Sequence, residues 1–179
     1  MTDTIWSHRL AREDVPEEGT HVEISADAAV RASLAKVAGL RELPRLTAQF
    51  DIIRSGRDGL HVIGEVAAVI GQNCVVTLES IEKNIVEPID VVFTADQRSS
   101  LEDDEGEASF GLSEADPPEP LVGGAVDLGA IATEYFLLGI DPYPRKEGAV
   151  FAAPVAGDAR ANPFAALAAL KKPPKGKSE

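Results

Sequence analysis

Residues 46–70 read LTAQFDIIRSGRDGLHVIGEVAAVI and contain the clearest secondary-structure pattern of the chain. Apolar and polar side chains alternate over residues 46–53, which is typical of a half-buried strand. The following run, Ser55-Gly56-Arg57-Asp58-Gly59, is rich in turn-forming residues, and residues 60–70 are mostly apolar with several β-branched side chains. The stretch therefore predicts an antiparallel hairpin.

The segments on either side of this hairpin extend it into a sheet. Residues 20–25 alternate as a short strand would, and residues 89–94 are rich in β-branched side chains. Gly71 and Asn73 permit a second reversal of the chain, after which residues 74–78 form a further strand-like run. We expect a meander of about four strands.

Two helices are indicated by capping residues followed by apolar side chains at helical spacing. Asp27 can cap the first helix, which Gly39 ends, and Asp127 can cap the second, which ends at Gly139 before Pro142 and Pro144. The apolar positions are Val30, Leu34 and Val37 in the first helix and Leu128, Ile131, Tyr135 and Leu138 in the second.

A third, short helix is predicted near the C-terminus. Asn162 can cap it, Pro163 suits its first position, and Phe164, Leu167 and Leu170 share one face. Either this face covers the edge of the protein's own core or it docks on a partner. Residues 172–179 follow as a flexible basic tail.

These elements predict an α+β protein with an antiparallel β-sheet or partly closed barrel and two or three packed helices. We expect an N-terminal segment over residues 1–19 and one domain over residues 20–171. The domain includes an acidic loop, residues 96–120, in which nine acidic residues accompany a single base, Arg98. Such a charge run is typical of a solvated insertion.

Composition limits the functions that are open to the chain. Its 179 residues carry a formal net charge of −13 at pH 7, which argues against a surface that grips nucleic acid broadly and favours a basic protein partner. One cysteine excludes an internal disulfide. We expect neither a signal peptide nor a membrane span, and therefore a cytoplasmic protein.

Catalytic motifs are absent from the sequence: there is no phosphate-binding loop, no GxGxxG, no HExxH and no nucleophile elbow. We therefore expect no enzyme and no cofactor. The alternative is a thiol-dependent enzyme that acts through Cys74, with His8, His21 or His61 brought near it by folding. The more common role of a lone thiol is that of a small buried apolar side chain.

Several motifs in a fixed order resemble the YceD family, also called DUF177, in the form found in alphaproteobacteria. They are Gln72-x-Cys74-Val75-Val76-Thr77-Leu78, an acidic loop, Val126-Asp127-Leu128-Gly129 with Glu134, Pro142 with Pro144, and Asn162-Pro163-Phe164-Ala165-Ala166-Leu167. The resemblance covers roughly residues 20–171. It implies a non-catalytic role in 23S rRNA accumulation and assembly of the large ribosomal subunit, through binding of a basic ribosomal protein, of pre-rRNA, or of both.

The resemblance also singles out candidate binding residues, each of which is either functional or structural: Gln72, Cys74, Thr77, Asp127, Asn162, Pro163 and Phe164. Many family members carry paired cysteines, as though for a metal, but this chain keeps only Cys74. A structural zinc site needs four ligands, so we predict that no metal binds.

Overall fold

The computed structural model describes residues 5–95 and 118–151 of the chain. The strands are β1 Arg9–Ala11, β2 Thr20–Ser25, β3 Glu42–Ser55, β4 Gly59–Asn73, β5 Ser80–Thr94, β6 Glu119–Pro120 and β7 Ala125–Asp127. The helices are α1 Ala28–Val37 and α2 Leu128–Leu138, and short 3-10 turns occur at Arg12–Asp14 and Val122–Gly124. The predicted α+β class is confirmed.

Five strands form the main sheet in the order β2-β3-β4-β5-β6. All neighbours are antiparallel except β5 and β6, which pair in parallel. Since β2 and β6 lie at opposite edges, the sheet is open and is not closed into a barrel. β1 and β7 form a separate two-stranded antiparallel sheet.

The hairpin predicted from residues 46–70 is present as β3 and β4, which are longer than expected. Pairing is regular from Ser55 opposite Gly59 to Arg45 opposite Val69. The register then shifts between Arg45 and Glu42. The connecting turn places Gly56 at a φ of 55°, a left-handed conformation that glycine adopts without steric cost. The turn therefore fixes the register of both strands.

The core lies on the side of the sheet that the helices cover. Alternate residues of β3 and β4 are fully buried there, among them Phe50, Ile52, Val62 and Val66. The helices and the N-terminal segment add Leu34 from α1, Leu128 and Phe136 from α2, and Trp6 and Val15. Hence residues before Thr20 pack in the same core as the domain.

One predicted strand is wrong: residues 74–78 form a turn. Within the turn, the Leu78 N–H donates to the Cys74 carbonyl at 2.9 Å. The Val75 N–H donates to a more distant segment, at the Pro144 carbonyl, also at 2.9 Å. Those donors are not available to a sheet. The strand that follows, β5, begins at Ser80 and includes the predicted segment 89–94.

Both predicted helix caps are present in α1 and α2. An Asp27 carboxylate oxygen accepts a hydrogen bond from the Val30 N–H at 2.8 Å, and Asp127 caps α2. The predicted apolar faces need correction at their ends, because Val37 and Leu138 are exposed. Each is the last residue of its helix.

Three parts of the sequence-based prediction lie outside the described residues. They are most of the acidic loop, the helix expected to begin at Asn162, and the basic tail over residues 172–179.

We expect Phe50→Ala to lower the free energy of unfolding by about 3 to 5 kcal/mol, because it removes a fully buried aromatic side chain from the centre of β3. Val86→Thr, at an exposed position of β5, should change it by less than about 0.5 kcal/mol. Urea denaturation measures both. Equal losses in the two variants would show that β3 does not form the centre of the core.

Candidate functional site

The sequence-predicted residues Gln72, Cys74 and Thr77 lie together where β4 turns back into β5. We call residues 74–79 the Cys74 turn. The Cys74 N–H donates to the Glu79 carbonyl at 2.8 Å, and this bond closes the turn. Gln72 is the penultimate residue of β4, so the three predicted residues are adjacent to one another as expected.

The Cys74 thiol is fully buried and is surrounded by backbone donors. Its Sγ accepts from the Lys146 N–H at 3.3 Å and from the Thr77 and Val76 N–H groups at 3.4 Å each. The bond from Lys146, followed by those from Thr77, lowers the pKa of Cys74 to about 6, although burial acts in the opposite direction. The turn is thus arranged to stabilise a thiolate.

A second segment, residues 140–147, is anchored on the Cys74 turn. The Gln72 side-chain amide donates to the Asp141 carbonyl at 2.9 Å. An ion pair of 2.8 Å between Asp141 and Lys83 joins the segment to β5, and one of 3.1 Å between Lys146 and Glu79 joins it to the turn. These contacts connect parts of the chain that are about seventy residues apart. They give Gln72 and Cys74 a clear structural role.

Within the described residues, the hydrogen bonds to the Cys74 thiol do not include one from a histidine side chain. The side chains of His21 and His61 bond to Asp51 and Asp90, and the His8 N–H bonds to Asp127. In residues 5–95 and 118–151 there is no group of three or more His, Cys, Asp or Glu that could hold a metal ion. Two residues of this turn have a lowered pKa, Cys74 and also Glu79, whose carboxylate is bonded to Lys146 and Thr77.

Asp127, the fourth predicted residue, joins the N-terminal segment to α2. Its carboxylate accepts from the Gly129 and Ala130 N–H groups of α2, from the Ser7 hydroxyl at 2.6 Å and from the His8 N–H at 2.8 Å. Burial opposes ionisation, but these hydrogen bonds outweigh it and lower the pKa of Asp127. The contacts belong to a cap and a strand junction, not to the Cys74 turn. Asn162, Pro163 and Phe164 lie outside the described residues.

The sequence analysis missed a second surface, the side of the sheet opposite the core. We define the outer sheet face by five rows of residues that the register places side by side. The rows are Ile53, His61 and Val92; His21, Asp51, Ile63 and Asp90; Glu23, Gln49, Glu65 and Pro88; Ser25, Thr47, Ala67 and Val86; and Arg45, Val69 and Asn84. Only the paired register, which the sequence alone does not supply, brings these residues together.

Hydrogen bonds hold several polar groups of the outer sheet face in place. His21 Nδ1 lies 2.8 Å from Asp51, His61 Nε2 lies 2.6 Å from Asp90, and the Gln49 amide donates to Glu65 at 2.9 Å. The bond to Asp51 is the main reason that the pKa of His21 is raised above its usual value. These bonds orient the carboxylates of Asp51, Glu65 and Asp90 on the face.

The fold and these two surfaces define an α+β protein built on an open antiparallel sheet, with a buried cysteine in a turn. A family model described as "Large ribosomal RNA subunit accumulation protein YceD" matches residues 62–171, and the chain belongs to this family. Searches of the curated proteins and of the solved structures gave no match. Among the described residues, no helix is long and apolar enough to cross a membrane.

We expect the ultraviolet absorbance of the Cys74 thiolate to appear with a midpoint near pH 6 in the folded protein. Because this is the only cysteine, the signal is unambiguous. A pKa that folding lowers adds stability at pH values above the unfolded-state pKa, and this stability is lost as the pH falls through the folded-state pKa.

The wild-type stability, measured relative to Cys74→Ala, should therefore increase between about pH 6 and the ordinary thiol pKa of about 8.5. Cys74→Ala should also lack the absorbance change. A midpoint near the ordinary thiol pKa would mean that the three N–H groups do not stabilise a thiolate.

Asp127→Ala should cost more stability than Asp27→Ala, although both remove a helix cap. Asp27→Ala loses one cap bond, at a cost of about 1 kcal/mol. Asp127→Ala also loses the bonds to Ser7 and His8, and we expect about 3 kcal/mol. Urea denaturation compares them, and equal costs would argue against the junction with the N-terminal segment.

Proposed function

We propose that this protein is a non-catalytic factor that supports accumulation of large-subunit ribosomal RNA by binding a basic ribosomal protein of the large subunit. Membership of the YceD family carries the proposal, because the family is described by that RNA accumulation. The net charge of −13 supports a basic protein as the direct partner. Under this proposal the protein acts in the bacterial cytoplasm, where ribosomal subunits are assembled.

Electrostatics favour a protein partner over direct binding of pre-rRNA. Phosphate binding requires clustered Lys and Arg, whereas the outer sheet face carries four carboxylates and Arg45 as its only Lys or Arg in the described strands. Before it joins the ribosomal subunit, a basic ribosomal protein carries positive charge that rRNA has not yet neutralised. An acidic factor could neutralise this charge and then be displaced by RNA.

The second candidate function is catalysis through Cys74, and the lowered pKa of its thiol is the observation in its favour. Complete burial of the thiol argues against it, as do the positions of His21 and His61 on the opposite side of the sheet from the core. We infer a structural role for Cys74. The hydrogen bonds to Lys146 and Thr77 stabilise a turn and do not position a substrate.

Depletion of the protein in its own cells should lower large-subunit rRNA relative to small-subunit rRNA. A tagged form purified at low salt should retain large-subunit ribosomal proteins after ribonuclease treatment, and added salt should release them. Mass spectrometry and RNA sequencing identify what is retained. Loss of the proteins on ribonuclease treatment would move the contact to pre-rRNA, and unchanged rRNA after depletion would refute the proposed function.

Cys74→Ser should restore rRNA accumulation in depleted cells nearly as well as the wild type, provided that the variant folds. Serine keeps an acceptor for the N–H groups of Lys146 and Thr77 but is a far weaker nucleophile. Quantification of both rRNAs measures the outcome. Complete loss of function in a variant with normal thermal stability would favour the thiol enzyme instead.

A further inference from the structure

The outer sheet face is an uncovered β-sheet surface within the described part of the chain. On the core side of the same strands Phe50 and Val62 are fully buried, whereas on the outer side Ile63 is 41% exposed and Val86 is 60% exposed. Helices α1 and α2 both pack on the core side, so neither covers it. A broad sheet face with exposed β-branched side chains is typical of a surface that receives a partner.

The charges on this face select the chemistry of the partner. The side chains of Glu23, Asp51 and Asp90 are each at least 73% exposed, and Glu65 lies in the same row as Glu23. Arg45, at one end of the face, is the only Lys or Arg that the register of the described strands places there. His21 and His61 each bond to one of these aspartates, and the face still carries four carboxylates with a single arginine, so complementary charge favours a basic ligand.

The arrangement of these carboxylates fits an extended chain. Asp51 and Asp90 lie in one row, and Glu23 and Glu65 lie in the next, two residues along each strand, which is a separation of about 6.8 Å. Side chains on one face of an extended peptide recur with the same spacing. Basic side chains at alternate positions of such a peptide would meet both rows.

The row next to Glu23 and Glu65 leaves room for a long side chain. Ser25, Thr47 and Ala67 are small, and with the two glutamates they line a shallow depression of about 410 Å³. A Lys or Arg side chain could lay its methylene groups over Thr47 and Ala67 while its charged end reaches a glutamate. The apolar floor and acidic rim suit a basic side chain with an aliphatic stem.

We propose that the outer sheet face binds an extended basic segment of a protein partner that carries Lys or Arg at alternate positions. This inference rests on the proposed function in so far as the partner is a basic ribosomal protein, and it adds the surface and the form of the ligand. Exposed Ile63 and Val86 contact the aliphatic stems of these Lys or Arg side chains, and the carboxylates contact their charged ends. RNA would be repelled by the same face.

The first test measures binding of a short synthetic peptide that alternates Lys and Val, by fluorescence anisotropy at low salt. The face variant combines Glu23→Gln, Asp51→Asn, Glu65→Gln and Asp90→Asn. The control variant removes the same total charge from exposed carboxylates elsewhere, with Asp14→Asn, Glu17→Gln, Asp58→Asn and Glu147→Gln. Thermal unfolding confirms that both variants fold.

We expect the face variant to weaken peptide binding by at least about tenfold, since four exposed ion pairs are removed, and the control variant to change it far less. Ile63→Thr, which keeps every charge, should also weaken binding, and the peptide should shift the backbone NMR signals of β3 and β4. Equal weakening by both charge variants would overturn the proposal, because net charge alone would then explain binding.

Further arms separate this inference from the proposed function. A single-stranded RNA that binds more tightly than the peptide and shifts the same NMR signals would overturn the inference. In depleted cells, the face variant should fail to restore large-subunit rRNA while the control variant succeeds. If both restore it, the surface is wrong and the proposed function stands; if depletion itself has no effect, the proposed function fails whatever the peptide does.

Discussion

The register between β3 and β4 is the constraint on which the rest of the structure depends. The turn that pairs Ser55 with Gly59 decides that Phe50 and Val62 face the core. A shift of one residue would turn those side chains toward solvent and bring polar ones such as Gln49 into the core, at a cost of several kcal/mol. Both the packing of the helices and the composition of the outer sheet face follow from that one choice.

A close approach of the two strands reinforces this register. Gly64 pairs with Phe50, and a Cβ atom at Gly64 would lie 2.1 Å from the backbone oxygen of Gln49. Only glycine permits this approach without a shift of the backbone. Gly64 therefore allows β3 and β4 to stay paired along most of their length, so that the sheet is long enough to reach from the Ser55–Gly59 turn to Cys74.

Local signals were sufficient for the hairpin and for both described helices, because alternation and capping act over a few residues. They failed at residues 74–78, since β-branched Val75 and Val76 favour a strand while the actual partners of the turn, Pro144 and Lys146, lie about seventy residues away. The same limit applies to function. Motif order singles out Cys74 and Gln72 as candidates, whereas the outer sheet face exists only after four strands are paired.

The two surfaces differ in what their chemistry can do. At the Cys74 turn, every described hydrogen bond to the thiol comes from a backbone N–H group or from Thr77. Because the thiol is fully buried, a thiolate held in this way contributes to stability without contact to solvent. On the outer sheet face, by contrast, carboxylates such as Asp51 remain largely exposed. Binding energy for a partner requires accessible groups, so the exposed sheet face, and not the cysteine, is the part of the described structure suited to recognition.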